Sequence, residues 1–339
     1  MTFVKTSNKP LIKLLLNLFW ERGSIIPLFT FPSYTLRYQP LLMTLVINRS
    51  NHTLPLIRQE RISWITPEDA ERQDIRPLRI GILNIMPFGK DYEFNLLHPL
   101  GLSILQVEPV WIRLESHEYT SGDQQHMADL YQTYEKATQL SRLDGLIVTG
   151  APVEKIHFHE VRYWSEISKI IQDSRLNCPS TLGICWGAFA LAFLLGVDKL
   201  TYDNKLFGLF KLQNLDSGHP ITGELDDEFW CPQSRYAGID DSLMEGAQRD
   251  GRLNLLAHGE RAGYSIFETP DHRFVMHSGH PEYNSRRIVY EAERDKLAGD
   301  VLPPENFDLN NPVNCWRGHR NTFFTQWLKF CYQQISMPS

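Results

Sequence analysis

The feature that most restricts the fold of this chain is a series of short, continuous apolar runs that end in a turn and alternate with helical patterns. Leu78-Arg79-Ile80-Gly81-Ile82-Leu83-Asn84 lies between Pro77 and Pro87, and Gly145-Leu146-Ile147-Val148-Thr149-Gly150 is apolar up to its last two residues. A strand apolar on both faces must be covered on both faces, which is the condition of a parallel sheet between layers of helices. Residues 105–114 hold a second strand, and Thr181-Leu182-Gly183-Ile184 another. Helices are predicted over 123–136, over 159–174 with Val161, Trp164, Ile167 and Ile171 at helical spacing, and over 188–195. Strand and helix in alternation predict an α/β fold, a parallel sheet flanked by helices. The second half has further β segments, at 206–212, 253–257, 264–268 and 273–277. Two helices, 285–297 and 321–334, close the chain.

Composition narrows the function classes. With 339 residues, 42% of them hydrophobic and 22% charged, the chain has the material for a substantial soluble core. A net charge of −6, not gathered into blocks, gives no footprint for nucleic acid. Five cysteines, an odd number without a C-x-x-C pair, argue against both a disulfide framework and a structural zinc site. Cys178, Cys231, Cys315 and Cys331 are read as reduced, packed cysteines. The apolar run Leu11–Trp20 is broken by Lys13 and Asn17 and is too short to span a bilayer. No A-x-A cleavage pattern follows it. Residues 1–42 are therefore expected to be an extension, from an upstream mis-assigned start or, alternatively, a transit or membrane-surface peptide. Residues 43–339 are expected to form a single domain, cytoplasmic and without a membrane or nucleic-acid partner.

Cys185 stands apart from the other cysteines. Gly183-Ile184-Cys185-Trp186-Gly187 lies where an apolar strand meets a helix, and a G-x-nucleophile-x-G turn there is a nucleophile elbow. The bend exposes the side chain, the helix start offers N–H groups to an oxyanion, and the same terminus favours thiolate over thiol. Alone, the pattern fits a buried structural cysteine equally well. A second group decides between them: Met276-His277-Ser278-Gly279-His280-Pro281-Glu282 follows a strand. If the chain stays extended, His280 and Glu282 project to one side, where the carboxylate can orient the imidazole. A Cys–His–Glu nucleophilic centre is the reading that accounts for both.

These motifs resemble the class I glutamine amidotransferase-like (flavodoxin-like) fold, and more closely the homoserine O-acyltransferases, the homoserine O-succinyltransferase family. The resemblance runs from about residue 46 to the C-terminus. It rests on Asp74-Ile75-Arg76-Pro77-Leu78, Thr149-Gly150-Ala151-Pro152-Val153-Glu154, Ile184-Cys185-Trp186-Gly187, Pro232-Gln233-Ser234-Arg235-Tyr236, Gly279-His280-Pro281-Glu282-Tyr283 and Cys315-Trp316-Arg317-Gly318-His319. It implies an acyl-thioester nucleophile at Cys185, a general base at His280 and its orienting partner at Glu282. It further implies substrate-binding roles for Lys205, Ser234 and Arg294, and an acyl-CoA specificity role for Glu154. Glutamate there goes with acetyl-CoA and glycine with succinyl-CoA. The implied reaction is acyl transfer from CoA to L-homoserine in methionine biosynthesis, with no metal or cofactor beyond the acyl-CoA co-substrate, by a homodimer. Phe88, Gly89, Phe189, Lys211 and Leu212 depart from the family pattern. Succinyl-CoA as donor and L-serine as acceptor therefore remain alternatives. Glutamine amide hydrolysis and a non-catalytic binding role are the rival readings of the fold.

Overall fold

The protein is described here by a computed structural model covering residues 45–86, 89–119, 123–299 and 302–336. Residues 1–42 and Phe88, on which two of the expectations above fall, lie outside the described residues. Among the described residues, eleven strands form one sheet: β1 (Leu45–Val46), β2 (Trp64–Ile65), β3 (Leu78–Leu83), β4 (Val107–Ile112), β5 (Gly145–Val148), β6 (Thr181–Ile184), β7 (Leu200–Asn214), β8 (Glu228–Gly238), β9 (Asn254–Gly259), β10 (Gly263–Glu268) and β11 (Phe274–His277). Their order is β2-β1-β4-β3-β5-β6-β11-β10-β9-β7-β8. Every pairing from β2 to β11 is parallel, and every pairing from β11 to β8 is antiparallel. The second-half strands thus extend the parallel sheet instead of forming a separate one.

Ten helices are described: α1 (Leu54–Gln59), α2 (Pro67–Ala70), α3 (Gly89–Gly101), α4 (Gln124–Leu130), α5 (Tyr134–Leu140), α6 (Trp164–Asn177), α7 (Trp186–Leu194), α8 (Asp241–Arg249), α9 (Ser285–Ala298) and α10 (Arg317–Ser336). All six residues of β3 are buried, and the alternation of the strands shows on which face each packs. Ile80, Ile82, Ile147 and Leu182 join one core with residues of α3 and α10, whereas Leu83, Leu146 and Val148 join another with residues of α6 and α7. Successive side chains of a strand point to opposite faces, so two cores mean helices on both sides of the sheet. Each buried isoleucine contributes roughly 1.5–3 kcal/mol relative to an exposed one. Among the described residues no helix is long and apolar enough to cross a membrane.

Three local expectations are corrected. The single helix over 123–136 is two, α4 and α5. Tyr131 is extended between them, Gln132 bridges to Ile112, and Thr133 caps the second helix through Lys136 N–H. The long strand β8 was not expected, because Cys231, Pro232 and Gln233 break any apolar alternation although all three are buried. Cys315 is exposed, not packed; the other four cysteines are buried, and all five are free.

Candidate active site

The sheet order explains why residues distant in sequence meet. β5, β6 and β11 are adjacent and parallel, with Val148 beside Gly183 and Ile184 beside His277. The segments that follow these strands, carrying Glu154, Cys185 and His280, therefore emerge at one end of the sheet, where open α/β folds bind ligands. Cys185 N–H donates to the His277 carbonyl at 2.9 Å, tying the elbow to the end of β11.

The elbow has the expected strain. Cys185 has φ 52° and ψ −116°, a conformation rare for a residue with a side chain, and α7 begins at the next residue. Both flanking glycines are demanded by close approach. A Cβ on Gly187 would lie 2.2 Å from the Val148 carbonyl oxygen, and one on Gly183 2.7 Å from the backbone of Gly187. Gly150 keeps space open in front of the thiol, since a Cβ there would lie 3.3 Å from the Cβ of Cys185 and 3.6 Å from His280 Cε1.

His280 is a hydrogen-bond partner of Cys185, and its Nδ1 lies 2.7 Å from Glu282 Oε1. Burial works against a charge on the ring, but a Cys185 thiolate and the Glu282 carboxylate outweigh it and hold the imidazole well above its usual range. That is an imidazole set between a nucleophilic thiol and an orienting carboxylate. The backbone route to it differs from the extended one expected. Residues 281–282 form a turn, with Tyr283 N–H donating to the His280 carbonyl at 3.2 Å, and the tyrosine ring stacks on the imidazole at 4.1 Å. Sequence reasoning missed Tyr92 altogether. Its buried hydroxyl donates to Glu282 Oε1 at 2.6 Å from α3, 190 residues away in the chain.

The expected substrate-binding residues gather on the antiparallel side. Ser234 pairs with Phe207 between β8 and β7, and its hydroxyl donates to Glu291 Oε2 on α9 at 2.6 Å. Lys205 is half-buried with its side chain largely covered, its Nζ 2.7 Å from Asp295 and 3.8 Å from Glu291. Arg294 donates to Asp295 Oδ1 through Nε and a terminal nitrogen, at 2.9 and 2.7 Å, and is partly open to solvent. Glu291 is a second residue the sequence did not reveal. Burial opposes its charge, but Lys205, Arg287 and His280 hold its carboxyl down to about 2. Glu154 is half-buried. Burial pushes its carboxyl up, and His280 and Lys205 draw it back. Those influences place Glu154 within the field of His280 and Lys205.

Of the departures, Gly89 opens α3. Phe189 is buried in a core beneath Arg235, whose guanidinium lies 5.9 Å from its ring. Lys211 is exposed and paired with Glu228, and Leu212 is buried in the other core. At about 3.4 Å per residue, Lys211 lies roughly 20 Å along β7 from Lys205. It does not line the site.

The pKa of Glu291 gives a testable stability signature. Its folded value lies below the 4.5 of an ordinary glutamate, so its ionised form stabilises the fold. That stability is present in full above about pH 4.5 and is lost as the pH falls towards 2. Unfolding measured against pH should lose this segment of the profile in Glu291→Gln; an unchanged acid limb would contradict the assignment.

Over residues 44–337 the sequence matches the homoserine O-succinyltransferase family. Among curated relatives, the homoserine O-acetyltransferase of Bacillus cereus is 36% identical over 299 residues, covering 86% of this chain and 98% of that protein. The homoserine O-acetyltransferase of Bacillus anthracis is 35% identical over the same length and coverage. Among solved structures, a glutamine amidotransferase from Thermotoga maritima gives a TM-score of 0.48 at 12% identity, over 78% of this chain and 100% of that one. The glutaminase domain of a Trypanosoma brucei protein gives 0.48 at 13% identity, over 76% and 94%. With the match spanning the whole described region and the motifs that build the site, the chain belongs to the homoserine O-succinyltransferase family.

Proposed function

We propose that this protein transfers an acetyl group from acetyl-CoA, through a thioester on Cys185, to the hydroxyl of L-homoserine. The observation that carries the reading is the hydrogen-bonded series Cys185, His280 and Glu282, set beside the Lys205, Ser234 and Glu291 cluster, in a chain of this family. The Cys185 thiolate attacks the thioester carbonyl, and N–H groups at the start of α7 face the developing oxyanion. The C–S bond to CoA breaks, and the departing thiolate takes the His280 proton. The acceptor hydroxyl then attacks the enzyme thioester while His280 takes its proton, and Cys185 is released. The first step exchanges one thioester for another, the second passes the acyl group from a thioester to a hydroxyl, and neither changes an oxidation state.

The acceptor is a zwitterion, and α9 carries both complements. Glu291, held ionised, suits an α-ammonium, and Arg294, one turn further on, suits an α-carboxylate through its free N–H groups. For the donor, a cleft of about 630 Å³, lined by Met86, Tyr119, Val153 and Tyr163 among others, opens beside the loop that carries Glu154. Assays with acetyl-CoA at equal concentrations of homoserine and serine should give faster transfer to homoserine. A clear serine preference would refute the acceptor, and ammonia from glutamine without CoA release would favour the amidotransferase alternative.

Residues 1–42 are proposed to be dispensable, since the family match begins at residue 44. A protein starting at Met43 is expected to melt within about 2 °C of the full chain, a shift equivalent to about 1 kcal/mol, and to keep its activity. A large loss of either would show that the extension contributes to the fold.

A further inference from the structure

We propose that His52, Glu93 and His126 form a binding site for one divalent transition-metal ion, Zn²⁺ being the ion this donor set suits best. The three come from the turn before α1, from α3 and from α4, and their ligand atoms lie within 4.8 Å of one another. His126 Nε2 is 2.7 Å from Glu93 Oε1, and His52 Nε2 is 3.6 Å from Glu93 Oε2. The Lys90 carbonyl oxygen, 3.2 Å from His52 Nε2, is placed to add an oxygen donor. Zinc bonds of about 2.0–2.1 Å in tetrahedral geometry set donors about 3.3 Å apart. The longer separation is already near this value, and the shorter one must open by about 0.6 Å, which side-chain rotation can supply.

Glu93 gives the independent sign of a ligand. It is fully buried, and its Oε2 has no hydrogen-bond partner, an arrangement that costs free energy unless a cation completes it. Its other oxygen accepts from the Tyr131 hydroxyl at 2.8 Å, and Tyr131 accepts from Asn84 Nδ2 at 2.8 Å. That is the outer shell expected to orient a carboxylate ligand. His52 is partly open to solvent and offers an entry path.

Tautomers separate this cluster from two others with similar composition. In Cys231, His277 and His319, the Gly279 N–H donates to His277 Nδ1 at 3.2 Å, so Nε2 keeps its proton and cannot ligate. In His219, Glu268 and His272, the Ile221 and Thr222 N–H groups both donate to His219 Nδ1, with the same consequence. Among the described residues no N–H is aimed at Nδ1 of His52 or His126. Either ring can carry its proton there and present Nε2 to an ion. Bound metal would clamp α3, whose next residue back, Tyr92, reaches Glu282.

The test uses the full chain carrying Cys185→Ser, so that the active-site thiol cannot compete, titrated with Zn²⁺ alone. Calorimetry should give one ion per chain, and a hundredfold excess over Kd should raise Tm by about 5 °C. His52→Gln and His126→Gln should each weaken binding by about tenfold or more. Co²⁺ in place of Zn²⁺ should show ligand-field bands with no thiolate charge-transfer band. Absence of binding, binding unchanged in both variants, or a thiolate band would each overturn the site. If His126→Gln does not fold, His52→Gln decides, because that ring is partly exposed.

Discussion

Replacing Cys185 by alanine is expected to lower acyl transfer by about 10⁴-fold or more while moving Tm by only a few degrees. The sulfur is one buried atom at the end of β6, and its removal leaves a cavity worth about 1 kcal/mol. The strain at φ 52° belongs to the backbone and is the same for alanine. The chemistry has no such tolerance. The thiol and the Glu282 carboxylate together hold His280 above its usual range, so losing the thiol removes the nucleophile and one of the two groups that favour the charged ring. His280→Ala is expected to be nearly as damaging. Glu282→Gln should be milder than His280→Ala, because Glu282 orients the ring and moves no proton itself. Steady-state rates with melting curves check all three. A Cys185→Ala protein with near-normal turnover would remove the thioester from the account.

Glu154→Gly is expected to shift the donor preference from acetyl-CoA towards succinyl-CoA by on the order of 10²–10³ in the ratio of kcat/KM values. The loop follows β5, next to the elbow strand, and Glu154 is within the field of His280, Lys205 and Glu291. Succinyl carries a second carboxylate. At about 4 Å and an effective dielectric near 20, the two would repel by about 4 kcal/mol, close to a thousandfold. Glutamate also fills the volume the longer acyl chain needs, so charge and shape act in the same direction. Burial raises the Glu154 carboxyl, so its charge, and with it the discrimination, should weaken as the pH falls through that raised value. Wild-type preference for succinyl-CoA, or an unchanged ratio in the variant, would contradict the donor assignment.

What the sequence displayed depended on whether the signal was local. β3, β5 and β6 were legible because both faces are buried and every position is constrained, and the elbow because its two glycines touch backbone. His280 and Glu282 were legible as a pair two residues apart, although a turn, not a continued strand, joins them. β8 was hidden because Cys231, Pro232 and Gln233 are buried by neighbouring elements and follow no periodicity of their own. Tyr92 and Glu291 were hidden for a related reason. Each is an ordinary residue on a helix until folding brings a partner from elsewhere beside it: Glu282 for one, the Lys205 charge and the Ser234 hydroxyl for the other. Lys205 itself would read as surface charge without its two carboxylate partners on α9.

A covalent acyl-enzyme on Cys185 that homoserine discharges is the expected intermediate, and mass spectrometry of the intact protein would detect it. With acetyl-CoA alone, the wild-type chain should gain one acetyl group on the peptide carrying Cys185 and release one equivalent of CoA. Adding L-homoserine should remove that group and yield O-acetylhomoserine. Release of CoA only when both substrates are present, with no acylated Cys185 at any time, would contradict it.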